Sequence, residues 1–538
     1  MKKLIITGLI TVSAMIAVSC AERLDLTPEN AITDEQIKAL LTSGDESKIE
    51  LVLGGIANTV ESKIHQAVDN YGGADTQVNY ILAHGHMFNL WGNDMAIGDG
   101  SYDYWGVPQY QFQITSATGG TQNRCWWDHG YGCVTQANKL LNYLDDETVG
   151  NNAKLKEYKA RGLVLRAWGY HYIMQVYQDA WLQGGSSKLG VPLYDRYDPG
   201  QPYRERATAQ ATYDFIRNDL NEAIRLFNES GVGYTTDKVN DLDAGVASFL
   251  LARVSLWTGN WQAAIAACND ILSRYPDLID EAGYGGKNTG TQEEPVFLPE
   301  TNAFLNNAAN PEVILGFPKG FVPGNTVYSL WMNIFSAGNG GLQRGYARID
   351  DRLYDRIAES DFRRDAFLGA TPFGNYTYPG NQVITILSYV NLKFAATQAL
   401  DGTREQVGQN DFYYMRTSEV LLMKAEAQAQ SGDENGARTT LNTLLAARTR
   451  AGETPLTIDT YPSTAGMSLL ERIQLQWRIE MWGENGLEFY NNKRWGITVS
   501  RKGSNVHWFT DRTLDVSDMT LEIPENELLY NPLCVPNK

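Results

Sequence analysis

GVASFLLARVSLWTGNWQAAIAACNDILSRYP, residues 245–276, reads as two helices joined by a turn. Ala252 supplies a small side chain where two helices must approach closely. Gly259 turns the chain, Trp261, Ala264 and Ile265 open the buried stripe of the second helix, and Pro276 ends it. These offsets match the small, turn and terminator positions of the 34-residue tetratricopeptide repeat. Trp257 and Trp261 lie on the stripe of the repeat itself and are expected in the core. A second copy runs from Met415 to Gly452, with Gly432 as the turn and Ala437, Leu441, Leu444 and Leu445 as an i, i+4, i+7, i+8 stripe.

Outward from these units the helical period continues. Leu155 to Tyr177 is apolar on two faces: Leu163, Ala167, Tyr170, Met174 and Tyr177 on one, and Leu155, Tyr158, Leu165, Tyr172, Ile173 and Val176 on another. A helix of that kind is buried among other helices. Arg204 to Phe227 reads as a further helix. The expected fold is therefore mostly α, a tetratricopeptide-like scaffold of helical hairpins with units near 134–177, 204–276 and 411–452. Two stretches break the period. Residues 71–120 and 277–410 are rich in Gly, Asn and aromatics, which suits ordered surface loops carrying function. Short strands are expected near Val313–Phe317 and Val383–Val390. The last long helix starts at Ser468, with Glu471 completing a capping box, and is interrupted by Gly483 and Gly486. The tail, Leu521 to Lys538, carries three prolines and is expected to be extended.

The N-terminus predicts an address. Lys2 and Lys3 precede an apolar run, Leu4 to Val18, that is too short to span a bilayer, and Ala17-Val18-Ser19 leads directly into Cys20. This is the layout of a lipoprotein signal: residues 1–19 are removed, Cys20 is lipidated, 20–30 is a tether, and 31–538 is one domain anchored to the membrane through lipid only. The formal net charge is −18 over 538 residues, and loss of Lys2 and Lys3 makes it −20. Such a surface argues against nucleic acid and against lying on anionic lipid. Cys125, Cys133, Cys268 and Cys534 show no zinc spacing, and read as packed thiols or, for Cys125 and Cys133, a disulfide. His84 and His86 form a pair with no third ligand. No metal or cofactor is expected, with a structural calcium ion in the Gly/Asp-rich loop around Asp94, Asp99 and Asp103 as the one cation that would suit.

Five motifs in order carry a family resemblance over nearly the whole chain. They are Leu24-Asp-Leu-Thr-Pro28; Arg166-Ala-Trp-Gly-Tyr170 with Gly190-Val-Pro-Leu193; Arg416 to Gly432 with Asn442 and Arg450-Ala-Gly452; Arg478 to Gly496, ending in Arg-Trp-Gly; and Ile523-Pro524, Glu527 and Asn531-Pro532. Together they resemble the SusD/RagB family of outer-membrane lipoproteins of Bacteroidota. Asn485 stands as a one-residue insertion, Glu488 where an arginine is usual and Asn491 where an aspartate is usual. These departures bear on the ion pair the family usually forms there, not on the fold. The resemblance implies a surface-exposed, non-catalytic protein that captures oligosaccharides and delivers them to a SusC-like TonB-dependent transporter. A peptide-capturing member of the family is the alternative, and a helical glycoside hydrolase a lesser one.

A sugar presents a C–H face that an aromatic ring covers and hydroxyls that Asn, Asp and Arg bind. Two segments hold both halves of that chemistry: Trp91, Asn93, Asp94, Tyr102 and Trp105 in the first loop region, and Asn325, Tyr328 and Trp331 in the second. No catalytic residues are expected. Arg478, Trp482, Arg494 and Trp495 are expected to fix a packed corner rather than to bind a ligand.

Overall fold

The computed structural model describes residues 33–65, 81–98, 110–113, 121–292, 296–319, 321, 347–372, 374–378, 382–395 and 410–538. Three short helices, α1 (Asp34–Leu41), α2 (Glu46–Ala57) and α3 (Val60–His65), open it. The first two are capped by Thr33 and Asp45, whose side chains accept otherwise unpaired helical N–H groups. Helix α4 (Ile81–Asn89) follows, inside a region expected to be loop. Its apolar run Met87, Phe88 and Leu90 buries against the body of the protein, and that burial outweighs the local turn-forming composition.

The repeats are the scaffold. Helices α5 (Thr121–Leu141) and α6 (Ala153–Tyr177) form the first hairpin, which begins thirteen residues ahead of the expected unit at 134. They meet along a glycine seam: a Cβ on Gly169 would lie 2.5 Å from the Gly130 carbonyl oxygen, so only glycine permits this approach. Helix α7 (Ala209–Ser230) packs on α6, with Ile216, Leu220, Ala223 and Phe227 buried. It starts at Ala209 rather than Arg204, because Arg206–Thr208 is drawn into a strand, β3, paired with β2 (Leu189–Pro192). Helices α8 (Ala244–Trp257) and α9 (Trp261–Leu272) form the next hairpin, turning at Gly259 with φ +70°. Helices α10 (Thr417–Gln430) and α11 (Glu434–Ala447) form the last, turning at Gly432 with φ +86°. Ala252 and Trp257 are buried as expected, and Trp261 is half-buried.

Helix α9 packs directly on α10, so the long insertion between them leaves two neighbouring repeats and returns to the same place. Strand β4 (Val313–Phe317), at an expected position, pairs antiparallel with β8 (Phe412–Arg416) beside that junction. A hairpin, β6 (Gly374–Tyr378) and β7 (Gln382–Ile386), covers the first part of the other expected strand.

A fully buried ionic cluster clamps the insertion to the repeats. Glu480, at the end of α12 (Leu469–Glu480), accepts from Arg448 at 3.0 Å, Arg416 at 2.8 Å and Arg363 at 3.0 Å. Glu312 accepts from Arg416 and Arg448 at 2.7 and 2.6 Å, Glu484 from Arg416 and Lys393, and Asp361 from Arg363. Four cations face four carboxylates, and the cluster joins the insertion (Glu312, Asp361, Arg363, Lys393) to β8, α11 and the end of α12. Burial alone would push the Glu480 carboxyl up, yet the guanidinium groups of Arg448, Arg416 and Arg363 outweigh it and hold it well below the usual carboxylate range.

The capping box of Ser468 and Glu471 forms, and α13 (Leu487–Trp495) follows the break at Gly483 and Gly486. A short ribbon of β9 (Val499–Ser500) and β10 (Thr513–Leu514) comes next. The tail is not wholly extended. Pro524 precedes a short helix, α14 (Glu525–Tyr530), whose first-turn Glu525 and Glu527 complement the positive end of the helix dipole. Cys125, Cys133, Cys268 and Cys534 are all buried free thiols, so Cys125 and Cys133 do not form the disulfide. Among the described residues no helix is long and apolar enough to cross a membrane.

Candidate functional site

Where α4 ends, the chain enters the first segment singled out for ligand binding. Leu90 N–H still donates to His86 O, which folds the next residue back onto the helix. Trp91 is therefore 1% exposed, its ring 5.4 Å from Phe88, 5.6 Å from Trp126 and 5.0 Å from Phe489. It is a core ring and presents no face to a ligand, contrary to expectation. Asp94 is corrected in the same way. At 2% exposure it takes a two-pronged contact from Arg478 (Nε to Oδ2 2.9 Å), and its carbonyl accepts from Trp482 Nε1 at 2.8 Å. Asn93 is half-buried and accepts from Ser500 N–H through its side chain at 2.8 Å. Tyr102, Trp105, Asn325, Tyr328 and Trp331 lie outside the described residues, as do Cys20, Asp99 and Asp103.

The described residues on either side of those segments form one anchor. Strand β1 (Met95–Ala96), just after Asp94, pairs antiparallel with β5 (Arg348–Ile349), which follows the 322–346 stretch. Asp350 N–H donates to Asp94 O at 2.9 Å, extending the pairing by one bond. On the other side Arg501, fully buried, donates to the carbonyls of Leu90, Gly92 and Tyr110 and stacks on Tyr110 and Phe112 at 4.2 and 4.3 Å. Trp508 Nε1 donates to Ile97 O at 3.0 Å. Residues 97 and 110 are thus both fastened to the 501–508 segment.

His507 completes the anchor. Its Nε2 lies 2.9 Å from Asn93 O and must donate there, and in the neutral ring Nδ1 then accepts from the Tyr110 hydroxyl at 2.7 Å. That arrangement requires the neutral ring, and burial together with the nearby Arg501 charge holds its pKa well below the usual value. Sequence reading missed Arg501, Tyr110 and His507, since nothing local marks them.

Glu488, the departure from the family pattern, has a distinct environment. Its two oxygens accept the backbone N–H groups of Asn93 and Asp94, and a Cβ on Gly92 would overlap its carboxyl. Burial, then the adjacent Asp94 charge, pushes it up to about 8, against the opposing pull of Arg478. Asn491, the second departure, accepts from Arg494 Nε at 2.8 Å, and Arg494 and Trp495 both bind Glu426. Arg478, Trp482, Arg494 and Trp495 form a packed corner, as expected. Asp94, buried and held by Arg478, has no open approach to a ligand. Among the described residues no group of three or more His, Cys, Asp or Glu side chains is placed to hold a metal ion.

Comparison with known proteins fits this architecture. A family model described as the SusD family matches residues 374–527, one described as starch-binding associating with outer membrane matches 24–240, and a tetratricopeptide repeat model matches 246–278. SusD-like protein P38 of Formosa agariphila is 22% identical over 478 residues, 83% of this chain and 82% of that protein. A SusD-like protein of Bacteroides ovatus is 26% identical over 215 residues, 36% of this chain and only 35% of the relative. Among solved structures, a SusD-like carbohydrate binding protein from Bacteroides vulgatus superposes with TM-score 0.68 at 20% identity, covering 89% of this chain and 97% of the other. Surface glycan-binding protein A from Bacteroides thetaiotaomicron, in complex with laminarihexaose, superposes with TM-score 0.61 at 16% identity, covering 90% and 98%. With two family models over separate parts of the chain and the same fold in its structural neighbours, the chain belongs to the SusD/RagB family.

Proposed function

We propose that this protein is a non-catalytic, surface-exposed lipoprotein of the outer membrane, anchored through Cys20, that captures oligosaccharides and passes them to a SusC-like TonB-dependent transporter. The observation that carries this reading is the pairing of Met95–Ala96 with Arg348–Ile349. It ties together the ends of the two segments that hold the remaining candidate residues, Tyr102 and Trp105 in one, Asn325, Tyr328 and Trp331 in the other. A ligand surface fed from two loops needs such a shared rigid base, because binding is stronger when its parts are held before the ligand arrives. Carbohydrate binding also agrees with the names of the matched family and of two structural neighbours, one of them a glycan complex.

The test is calorimetric titration of the full-length protein in detergent micelles with maltoheptaose, laminarihexaose, cellohexaose and xylohexaose. At least one is expected to bind, and the Trp105→Ala/Trp331→Ala variant to weaken it by about tenfold, or ~1.4 kcal/mol. Absence of binding across the panel rejects oligosaccharide capture. Appearance of shorter sugars in the same mixtures, followed by chromatography, replaces capture with hydrolysis.

A further inference from the structure

A groove along another face of the first repeat hairpin is built from three separate pieces of chain. Helix α5 contributes Trp127 and Tyr131 on the face next to the one that sends Trp126 into the core; the loop after β2 contributes Tyr194 and Tyr197; helix α14 contributes Tyr530. Its volume is about 520 Å³, within the ~300–1,000 Å³ of small-ligand clefts. The walls are tied together without any ligand. Tyr131 donates to Pro192 O at 2.7 Å, Asn138 to Tyr194 O at 2.9 Å, and Asn531 to Arg204 O at 2.9 Å. Two motifs that the loop site leaves unused take part in the first and last of these bonds, Gly190–Leu193 through Pro192 and Ile523–Pro532 through Asn531.

The lining separates the classes of ligand. Among the described residues five aromatic side chains line the groove: Trp127 is buried, Tyr131 and Tyr194 are half-buried, and Tyr197 and Tyr530 are exposed at 42% and 75%. Val134, itself buried, is the one aliphatic side chain in the lining apart from prolines, whereas a protein-docking groove would present several. Charges pair within the lining: Arg124 with Asp128 at 3.5 Å and Arg196 with Asp198 at 3.9 Å. Burial pushes the Glu527 carboxyl above its ordinary value, and Asn531 donates to it at 2.7 Å. Rings for C–H faces, paired polar groups for hydroxyls and little net charge describe a site for a neutral sugar chain.

We propose that this groove is a second contact site for a neutral oligosaccharide, separate from the loop segments and able to hold another stretch of the same chain. The inference rests on the glycan-capture reading. It is tested by hydroxyl-radical footprinting of the full-length protein with the same four oligosaccharides, alongside calorimetry of wild type and Tyr197→Ala/Tyr530→Ala. Both rings are exposed, so thermal melting is expected to be unchanged and to report an intact fold. The expected result is protection of Tyr197 and Tyr530 by the sugar that binds, with about tenfold weaker affinity in the double variant. A bound sugar that leaves both rings fully reactive and the variant's affinity unaltered overturns the groove while the capture reading stands. Failure of every sugar to bind overturns both. Protection of the groove with no effect of Trp105→Ala/Trp331→Ala supports the groove and removes the loop assignment.

Discussion

Glu480 is fully buried and Glu488, eight residues further on, is half-buried, and the protein treats the two carboxyl groups in opposite ways. Glu480 touches three guanidinium groups in a cluster whose four positive and four negative groups balance. Its carboxyl is held well below the usual range despite its burial. Glu488 has the charge of Arg478 nearby, but that guanidinium is engaged by Asp94, and the second carboxylate repels it. Burial then prevails and pushes it up to about 8. Burial by itself does not make an ionised group stabilising or destabilising; the count of opposite charges within reach decides. The first cluster clamps the insertion to the repeats, and the second seats the 92–94 backbone beside the ligand loops.

The largest expected effect comes from unbalancing the first cluster. Arg416→Met removes the cation that binds Glu312, Glu480 and Glu484 together and leaves a buried excess of negative charge. Loss of one partner of a buried ionic network costs about 3–5 kcal/mol. Urea unfolding followed by tryptophan fluorescence should show that loss at neutral pH. A change under about 1 kcal/mol would mean that the cluster relaxes or admits water and is not the clamp.

The second cluster predicts a smaller effect of the opposite sign. An acid whose pKa is raised on folding contributes stability fully below its unfolded value, 4.5, and loses it as pH rises to about 8. Glu488→Gln keeps an oxygen for one of the two backbone N–H groups and removes the titration. The variant should be more stable than wild type at pH 8.5, by about 1–2 kcal/mol, with the difference closing towards pH 4.5. Equal urea midpoint differences at both pH values would show that Glu488 does not titrate in this window.

The comparison also explains what was legible in the sequence. Repeat hairpins could be read because their determinants are local: Ala252, Gly259, Gly432 and the 437–445 stripe lie within single hairpins. The distant partners of the corner could not, since Asp94 and Arg478 are 384 positions apart and Arg501 reaches carbonyls about 400 positions away. Trp91 illustrates the limit. Composition placed a ring in a loop-like segment, but whether it faces out depended on where α4 ends and on Trp126 and Phe489 arriving from distant elements. The aromatic groove escaped for the same reason. Tyr131, Tyr197 and Tyr530 belong to three pieces of chain, and no window of sequence contains two walls.

The smallest effect is expected in the turn that divides the two clusters. Between Glu484 and Glu488 the chain passes through Asn485 and Gly486, with φ values of +50° and +73°, after Gly483 at +75°. This left-handed run lets adjacent residues serve two separate clusters. Asn485, the inserted residue, is the one member with a side chain, and its amide donates to Tyr414 O at 3.3 Å. Asparagine tolerates this conformation better than alanine, and glycine adopts it without strain. Asn485→Ala should therefore cost about 0.5–1 kcal/mol, combining backbone strain with a lost hydrogen bond. Asn485→Gly relieves the strain while losing the same bond, and should stay within about 0.5 kcal/mol of wild type. Equal losses in the two variants would assign the role of Asn485 to its bond to Tyr414. The expected gap assigns it to the turn, and so to keeping a balanced cluster and an unbalanced one apart.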